Sequence, residues 1–185
     1  MRTKLVCLLP LLCIALRVSS VPCNVHSTST SLVHERRYDL SGKVAVMTGS
    51  DGSGIGYGGA LGFATANATL ILLSHRPASR GADAARRIQL ESGNDKIHVI
   101  GVDLASLTSV RAAAAAIVDI SPRVDVLVCS AGVNEPPPDH ALTEDGLEFV
   151  FQAHCSHLLH PSPISLFAPH KYALRVNHAL GPRFR

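Results

Sequence analysis

From residue 40 to residue 153 the chain alternates between two hydrophobic patterns: short apolar runs, and longer stretches with one apolar face. Lys43–Thr48 (KVAVMT) is the first short run, and a glycine cluster from Gly49 to Gly59 follows at once. Residues 55–66 read as a helix, although Gly58, Gly59 and Gly62 each cost about 1 kcal/mol against Ala in a helix interior. Thr69–Ser74 (TLILLS) is apolar almost without interruption, as expected of a strand covered on both faces. Ala78–Ser92 carries Ala, Ile and Leu on one face and Arg86, Arg87 and Glu91 elsewhere, with Gly93 where a C-cap glycine belongs. Lys96–Val102 (KIHVIGV) predicts a third strand. Ser106 can cap a helix from Leu107 to about Ile120, which Ser121-Pro122 ends. Val124–Cys129 (VDVLVC) predicts a fourth strand. Strand and helix alternating in this way imply right-handed crossovers and a parallel sheet, an α/β fold.

The stretch Thr48–Gly56 (TGSDGSGIG) lies between the first strand and the first helix, the context a dinucleotide-binding fingerprint requires. A pyrophosphate needs backbone N–H groups and a helix N-terminus at contact distance, and a Cβ there would hold it away. Glycine also supplies the positive φ of a tight turn. A glycine cluster alone is common in plain loops; here the flanking elements and three further strands give it meaning. The expected architecture is a Rossmann-like, doubly wound parallel sheet, incomplete at about four strands, with an irregular C-terminal tail.

Composition narrows this picture. Of the 185 residues 46% are hydrophobic and only 4% aromatic, so the core must be packed from Ala, Val, Ile and Leu. The net charge of +3 comes without any run of Lys and Arg, which argues against a nucleic-acid partner. The five cysteines, Cys7, Cys13, Cys23, Cys129 and Cys155, have neither a disulfide framework spacing nor a Cys-x-x-Cys motif.

At the N-terminus Arg2 and Lys4 precede an apolar run from Leu5 to Leu16, and Ser19 and Ser20 follow. This is the order of a secretory signal peptide. Twelve residues reach ~18 Å as a helix, short of the ~30 Å hydrocarbon core, so the alternative is an uncleaved anchor at the membrane interface rather than a span. The expected organisation is a signal or anchor at 1–20, a flexible linker at 21–39, an NAD(P)-binding domain at 40–153 and an irregular tail at 154–185. Such a leader predicts the secretory pathway, the endoplasmic reticulum or another organelle.

Five stretches in order resemble the short-chain dehydrogenase/reductase family, in particular its retinol-dehydrogenase-like and WW-domain-oxidoreductase-like branch. They are Leu40–Gly49 (LSGKVAVMTG), Gly54–Tyr57 (GIGY), Asp103–Val110 (DLASLTSV), Asp125–Val133 (DVLVCSAGV) and Thr143–Gln152 (TEDGLEFVFQ). The resemblance implies that Gly49, Ser50, Gly54, Ile55 and Gly56 line the cofactor phosphates. It implies that Asp103 and Leu104 contact the adenine and that Ala131 and Gly132 border the cofactor after the fourth strand. Arg76 follows the second strand, where such a domain chooses its cofactor, and no Asp or Glu stands between Asp51 and Asp83. A guanidinium there favours a 2′-phosphate, so NADP(H) is expected over NAD(H).

The sequence also departs from the family. Four residues separate Gly49 from Gly54, one more than usual, and Cys129-Ser130 replaces the Asn-Asn before Ala131-Gly132. After Ala153 the family has an Asn of its proton relay, but residues His154–His160 read HCSHLLH. Resemblance and helical periodicity both stop near Pro161, Pro163 and Pro169. The family's chemistry uses a Tyr four residues before a Lys, the Lys lowering the Tyr pKa while hydride moves to or from the nicotinamide. Tyr38, Tyr57 and Tyr172 have Gly42, Leu61 and Val176 at that spacing, and Lys171-Tyr172 is adjacent and reversed. No catalytic residue is therefore assigned.

His154, Cys155, His157 and His160 supply no dependable tetrahedral set, so no metal site is expected. Asn67-Ala68-Thr69 is a glycosylation sequon, better read as chance at a strand entrance. Ser121 and Ser130 lack the His/Asp partners of a hydrolase. Three readings stay open. The first is an oxidoreductase-family chain whose complete form interconverts an alcohol and a carbonyl of retinoid or steroid type. The second is an inactive dinucleotide-binding or interaction module that dimerises with a second copy or a relative. The third is a truncated gene product.

Overall fold

The computed structural model describes residues 26–75, 78–136 and 142–159. The element order is α1 (Ser29–Arg36), β1 (Val44–Thr48), α2 (Ile55–Thr65), β2 (Thr69–Ser74), α3 (Ala78–Ser92), β3 (Ile97–Gly101), α4 (Leu107–Ile120), β4 (Val126–Cys129) and α5 (Phe149–Leu159). The four strands form one parallel sheet in the order β3-β2-β1-β4. Chain order runs outward from β1 to β3, then returns across the sheet to place β4 on the other side of β1. The carboxyl ends of β1 and β4 thus flank the reversal in strand order, where doubly wound sheets hold ligands.

Alternation along the central strands builds two cores. Val44 and Val46 of β1 and Ile71 and Leu73 of β2 face α4, burying Val110, Ala113, Ala114 and Ile117. Ala45, Met47, Leu70 and Leu72 face the opposite way, against Ala60 and Ala64 of α2 and Ile88 of α3. β1 is buried along its whole length and β2 over all but its first residue, which is why both read as continuous apolar runs. Two of the costly glycines in α2 have a packing reason. A Cβ on Gly59 would come within 2.8 Å of Met47 Cε, and one on Gly62 within 2.7 Å of Ser29 Cβ.

Two expectations need correction. Residues 29–36, placed by sequence within a flexible linker, form helix α1. Thr28 caps it, with its hydroxyl accepting from the Ser31 amide while Ser31 Oγ reaches back in a reciprocal capping box. Ser29 then docks in the space left by Gly62 and donates to the Gly58 carbonyl. Residues 154–159, placed by sequence in an irregular tail, instead continue helix α5 to Leu159. Glu148 starts that helix by accepting from the Val150 and Phe151 amides at 3.0 and 2.6 Å. The proposed signal segment 1–20, Arg76 and residues 160–185 lie outside the described residues. Among the described residues no helix is long and apolar enough to cross a membrane.

Candidate functional site

β1 ends in Thr48, whose side chain is buried beneath the exit of β4. Its hydroxyl oxygen accepts from the amides of Ser130 and Ala131 at 3.1 and 3.0 Å. Gly49 follows with φ +71°, and a Cβ there would stand 2.6 Å from the Ala131 nitrogen. The glycine is needed for both reasons: the left-handed turn and the close approach of another backbone. Ser50 is buried within the turn. A Cβ on Gly56 would collide with the Gly49 carbonyl, so the start of α2 folds tightly back on the end of β1. Gly49, Gly56, Ala131 and Gly132 are thereby gathered at the reversal point of the sheet.

The start of α2 differs chemically from two other helix starts. Thr28 caps α1 and Ser106 caps α4 with side-chain oxygens. At α2 the N-cap is Gly54, no side chain caps the helix, and its first turn carries no acid. The first amides of a helix lack partners within it and sum to a partial positive charge. A Cβ on Gly54 would meet no atom within 4 Å, so an anion can approach these donors. This arrangement fits a diphosphate. Ile55 is 93% exposed beside it, an apolar side chain without a covering neighbour among the described residues.

The outer part of the turn is tied to β2 and α3. Ser74, the last residue of β2 and itself buried, holds its single hydroxyl proton between the His75 carbonyl at 3.1 Å and Asp51 Oδ2 at 3.3 Å. Arg87 of α3 donates to the Gly52 carbonyl at 3.1 Å and stacks 4.3 Å above the Tyr57 ring. Tyr57 in turn donates to Glu91 at 2.7 Å. Burial, with Glu91 acting in the same direction, raises the Tyr57 pKa, so this phenol serves as a strut and stays protonated. Beyond β3, Asp103 Oδ1 accepts from the Ala105 amide at 2.9 Å and lies 3.8 Å from His75 Nε2. Leu104 packs against the α4-side core.

On the β4 side Cys129 is half-buried, and burial pushes its thiol up to about 11, so it is neutral at physiological pH. The ring of His154 lies against Gly132, where a Cβ would come 2.5 Å from Nε2. Its Nδ1 stands 2.8 Å from the Val150 carbonyl. Gln152, fully buried, donates to Asp145 Oδ2, which also accepts from the Leu107 amide at 2.8 Å. The Thr143–Gln152 stretch thus fastens α5 to the start of α4. Asn67, the sequon residue, is exposed with φ +69° between α2 and β2.

Sequence reasoning singled out the glycines, Asp103, Leu104, Ala131 and Gly132, and the fold brings all of them to the carboxyl edge of the sheet. It gave no role to Thr48, Asp51 or Arg87. The turn's extra length is visible in the sequence, but the direction in which it bulges, and so the place of Asp51 beside Ser74, is not.

The family described as short chain dehydrogenase matches residues 43–161. A WW domain-containing oxidoreductase of Gallus gallus is 41% identical over 135 residues, 73% of this chain and 31% of that protein. Retinol dehydrogenase 13 of Homo sapiens is 38% identical over 121 residues, 65% of this chain and 35% of that protein. Among solved structures, an L-sorbose reductase from Gluconobacter frateurii complexed with NADPH and L-sorbose superposes with a TM-score of 0.55 at 29% identity. That match covers 70% of this chain and 47% of the reductase. The chain spans about a third of the length of these two curated relatives.

Proposed function

This chain belongs to the short-chain dehydrogenase family, and on that premise we propose that it binds NADP(H) with the diphosphate seated on the first turn of α2. The observation that carries the reading is the uncapped, acid-free start of α2, set beside Gly49 and Gly56 at the reversal point of the sheet. Asp103 and Leu104 flank the adenine, and Ala131 and Gly132 border the cofactor beyond β4. Arg76, two residues past β2 in sequence, supplies the counter-charge to a 2′-phosphate. The NADPH complex of the L-sorbose reductase supports this choice.

When bound, the nicotinamide supplies or accepts a hydride; the residues of this chain hold and orient it. A form carrying a Tyr-x-x-x-Lys pair would interconvert an alcohol and a carbonyl. The similarity to a retinol dehydrogenase supports a retinoid-like alcohol as its class. A second reading is favoured by one sequence fact: no tyrosine among these 185 residues has a lysine four positions on. In that reading the chain binds the dinucleotide without turnover and pairs with a second copy or a relative. The route into the secretory pathway, with or without a retained membrane anchor, belongs to the proposal and rests on residues 1–20.

Titrating the whole purified chain with NADPH, followed by nicotinamide fluorescence, tests the binding. Saturable binding of modest affinity is the expected result; an unsaturable, linear response contradicts it. Retinol-dependent reduction of NADP+ above a protein-free control would overturn the second reading.

A further inference from the structure

We propose that Asn67 is a site of N-linked glycosylation and carries its oligosaccharide on the edge of the sheet opposite the dinucleotide turn. This rests on the reading of residues 1–20 as a leader into the secretory pathway and is independent of the cofactor. Asn24, Asn94, Asn134 and Asn177 have His26, Lys96, Pro136 and Ala179 two positions on. Asn67 alone has a hydroxyl there, in Thr69, with Ala68 between them, which is the acceptor pattern.

A sequon entering a strand reads as coincidence until the acceptor is separated from the strand, and the fold makes that separation. The end of α2 closes in a Schellman turn: the Asn67 amide donates to the Ala64 carbonyl at 2.9 Å and the Ala68 amide to the Phe63 carbonyl at 3.1 Å. Asn67 takes the left-handed position of that turn, with φ +69°. Ala66 and Ala68 on either side are buried, and Asn67 is the only exposed residue from Leu61 to Leu70. Lys96 Nζ donates to its carbonyl at 3.3 Å. With its amide and carbonyl both bonded within the fold, the exposed residue offers its side chain. The turn explains a Gly or Asn at position 67. It does not explain the hydroxyl two residues later.

Transfer acts on the incoming chain, before Thr69 joins β2, so what the fold must accommodate is the product. In the transfer Asn67 Nδ2 forms a bond to C1 of the first sugar, and the bond from that carbon to the oxygen of a lipid diphosphate breaks. One amide proton is released, and the lipid diphosphate leaves. The strands are parallel, so Asn67 stands at their amino edge while Gly49 and Ala131 stand at the carboxyl edge. The length of β2, roughly 20 Å, separates the two edges. A glycan on Asn67 therefore leaves the dinucleotide turn open.

The test is translation of the full chain in the presence of endoplasmic-reticulum microsomes, with a reporter acceptor Asn-Gly-Thr appended at the C-terminus on a Gly/Ser spacer. Gel shifts that an endoglycosidase removes are counted. The wild type should show two such steps, and Asn67→Gly and Thr69→Val one each. Thr69→Ser, which keeps the hydroxyl, should retain both. Gly suits the left-handed turn and Val suits the strand, so neither loss reports misfolding. A wild type modified only at the reporter would overturn the role of Asn67 and leave the secretory reading standing. A chain modified at neither acceptor would overturn both. Two steps persisting in Asn67→Gly and Thr69→Val would place the sugar elsewhere and also overturn it. NADPH titration before and after sugar removal should give the same affinity; weaker binding by the sugar-bearing form would overturn the placement away from the turn. Binding by neither form would overturn the dinucleotide reading and leave the glycan in place.

Discussion

The hydroxyl oxygen of Thr48 accepts the backbone N–H of Ala131 at 3.0 Å, and so the end of β1 holds the segment leaving β4. The same oxygen takes the Ser130 amide, leaving both donors satisfied in a partly buried place. Replacing Thr48 by Val keeps the shape and removes the acceptor. The expected loss is about 1–3 kcal/mol of unfolding free energy, read from the urea midpoint, because two amides lose their partner. NADPH binding should weaken with it, since Gly49 and Ala131 would separate. A variant as stable as the wild type would show that the amides find other acceptors.

Helix α1 depends on a missing side chain. A Cβ on Gly62 would stand 2.7 Å from Ser29 Cβ, so Gly62→Val should undock α1 while sparing the sheet. Limited proteolysis should then cut within residues 29–36 in the variant and resist there in the wild type. Equal cleavage of the two would mean that α1 is not held by this contact.

Cys129 is predicted to be inert. With a thiol near 11 instead of 9.0, its thiolate fraction at pH 8 falls by about a hundredfold relative to an unperturbed cysteine. Timed iodoacetamide labelling of native chain, resolved by peptide mass spectrometry, should find Cys129 alkylated far more slowly than in urea. Equal rates in both conditions would contradict the burial.

Asp125 ties the lower ends of β1 and β4. Burial acts to raise its pKa, but the Val44 amide at 2.9 Å, together with Lys43 and Arg123, holds it below the ordinary 3.8. A depressed folded pKa adds stability that is complete above the unfolded value and disappears as pH falls through the folded one. Stability of the wild type should therefore drop below about pH 4, and Asp125→Asn should flatten that decline while lowering stability at pH 7. Parallel curves for the two proteins would rule out this carboxylate as a contributor.

The sheet was legible because its strands are buried on both faces, leaving runs such as TLILLS that no exposed segment would keep. Gly49 and Gly56 were legible because a tight turn and an approaching backbone exclude side chains whatever lies elsewhere in the fold. Helix α1 was not, since it buries no apolar residue and is held by a hydroxyl cap and by Gly62, thirty-three residues beyond Ser29. The anchoring of α5 was hidden because Asp145, which accepts from Gln152, also accepts from the Leu107 amide at the start of α4, a contact between residues thirty-eight apart. The turn could be seen to hold one residue more than usual, but not that Asp51 would reach Ser74, because a one-residue insertion does not reveal the direction of the bulge it makes.

Gly54→Asp tests the account most directly, because the account assigns it opposite effects on stability and on binding. The position is open and extended, with φ −86°, so Asp fits there and can cap the free amides of α2. An N-cap side chain in place of Gly is worth a few tenths of a kcal/mol, and the added charge at the helix start contributes a further ~0.3–1 kcal/mol. The variant should thus melt at a higher temperature than the wild type, while NADPH titration of the same sample shows binding abolished. A variant that binds NADPH as tightly as the wild type would mean that the diphosphate does not sit on the first turn of α2.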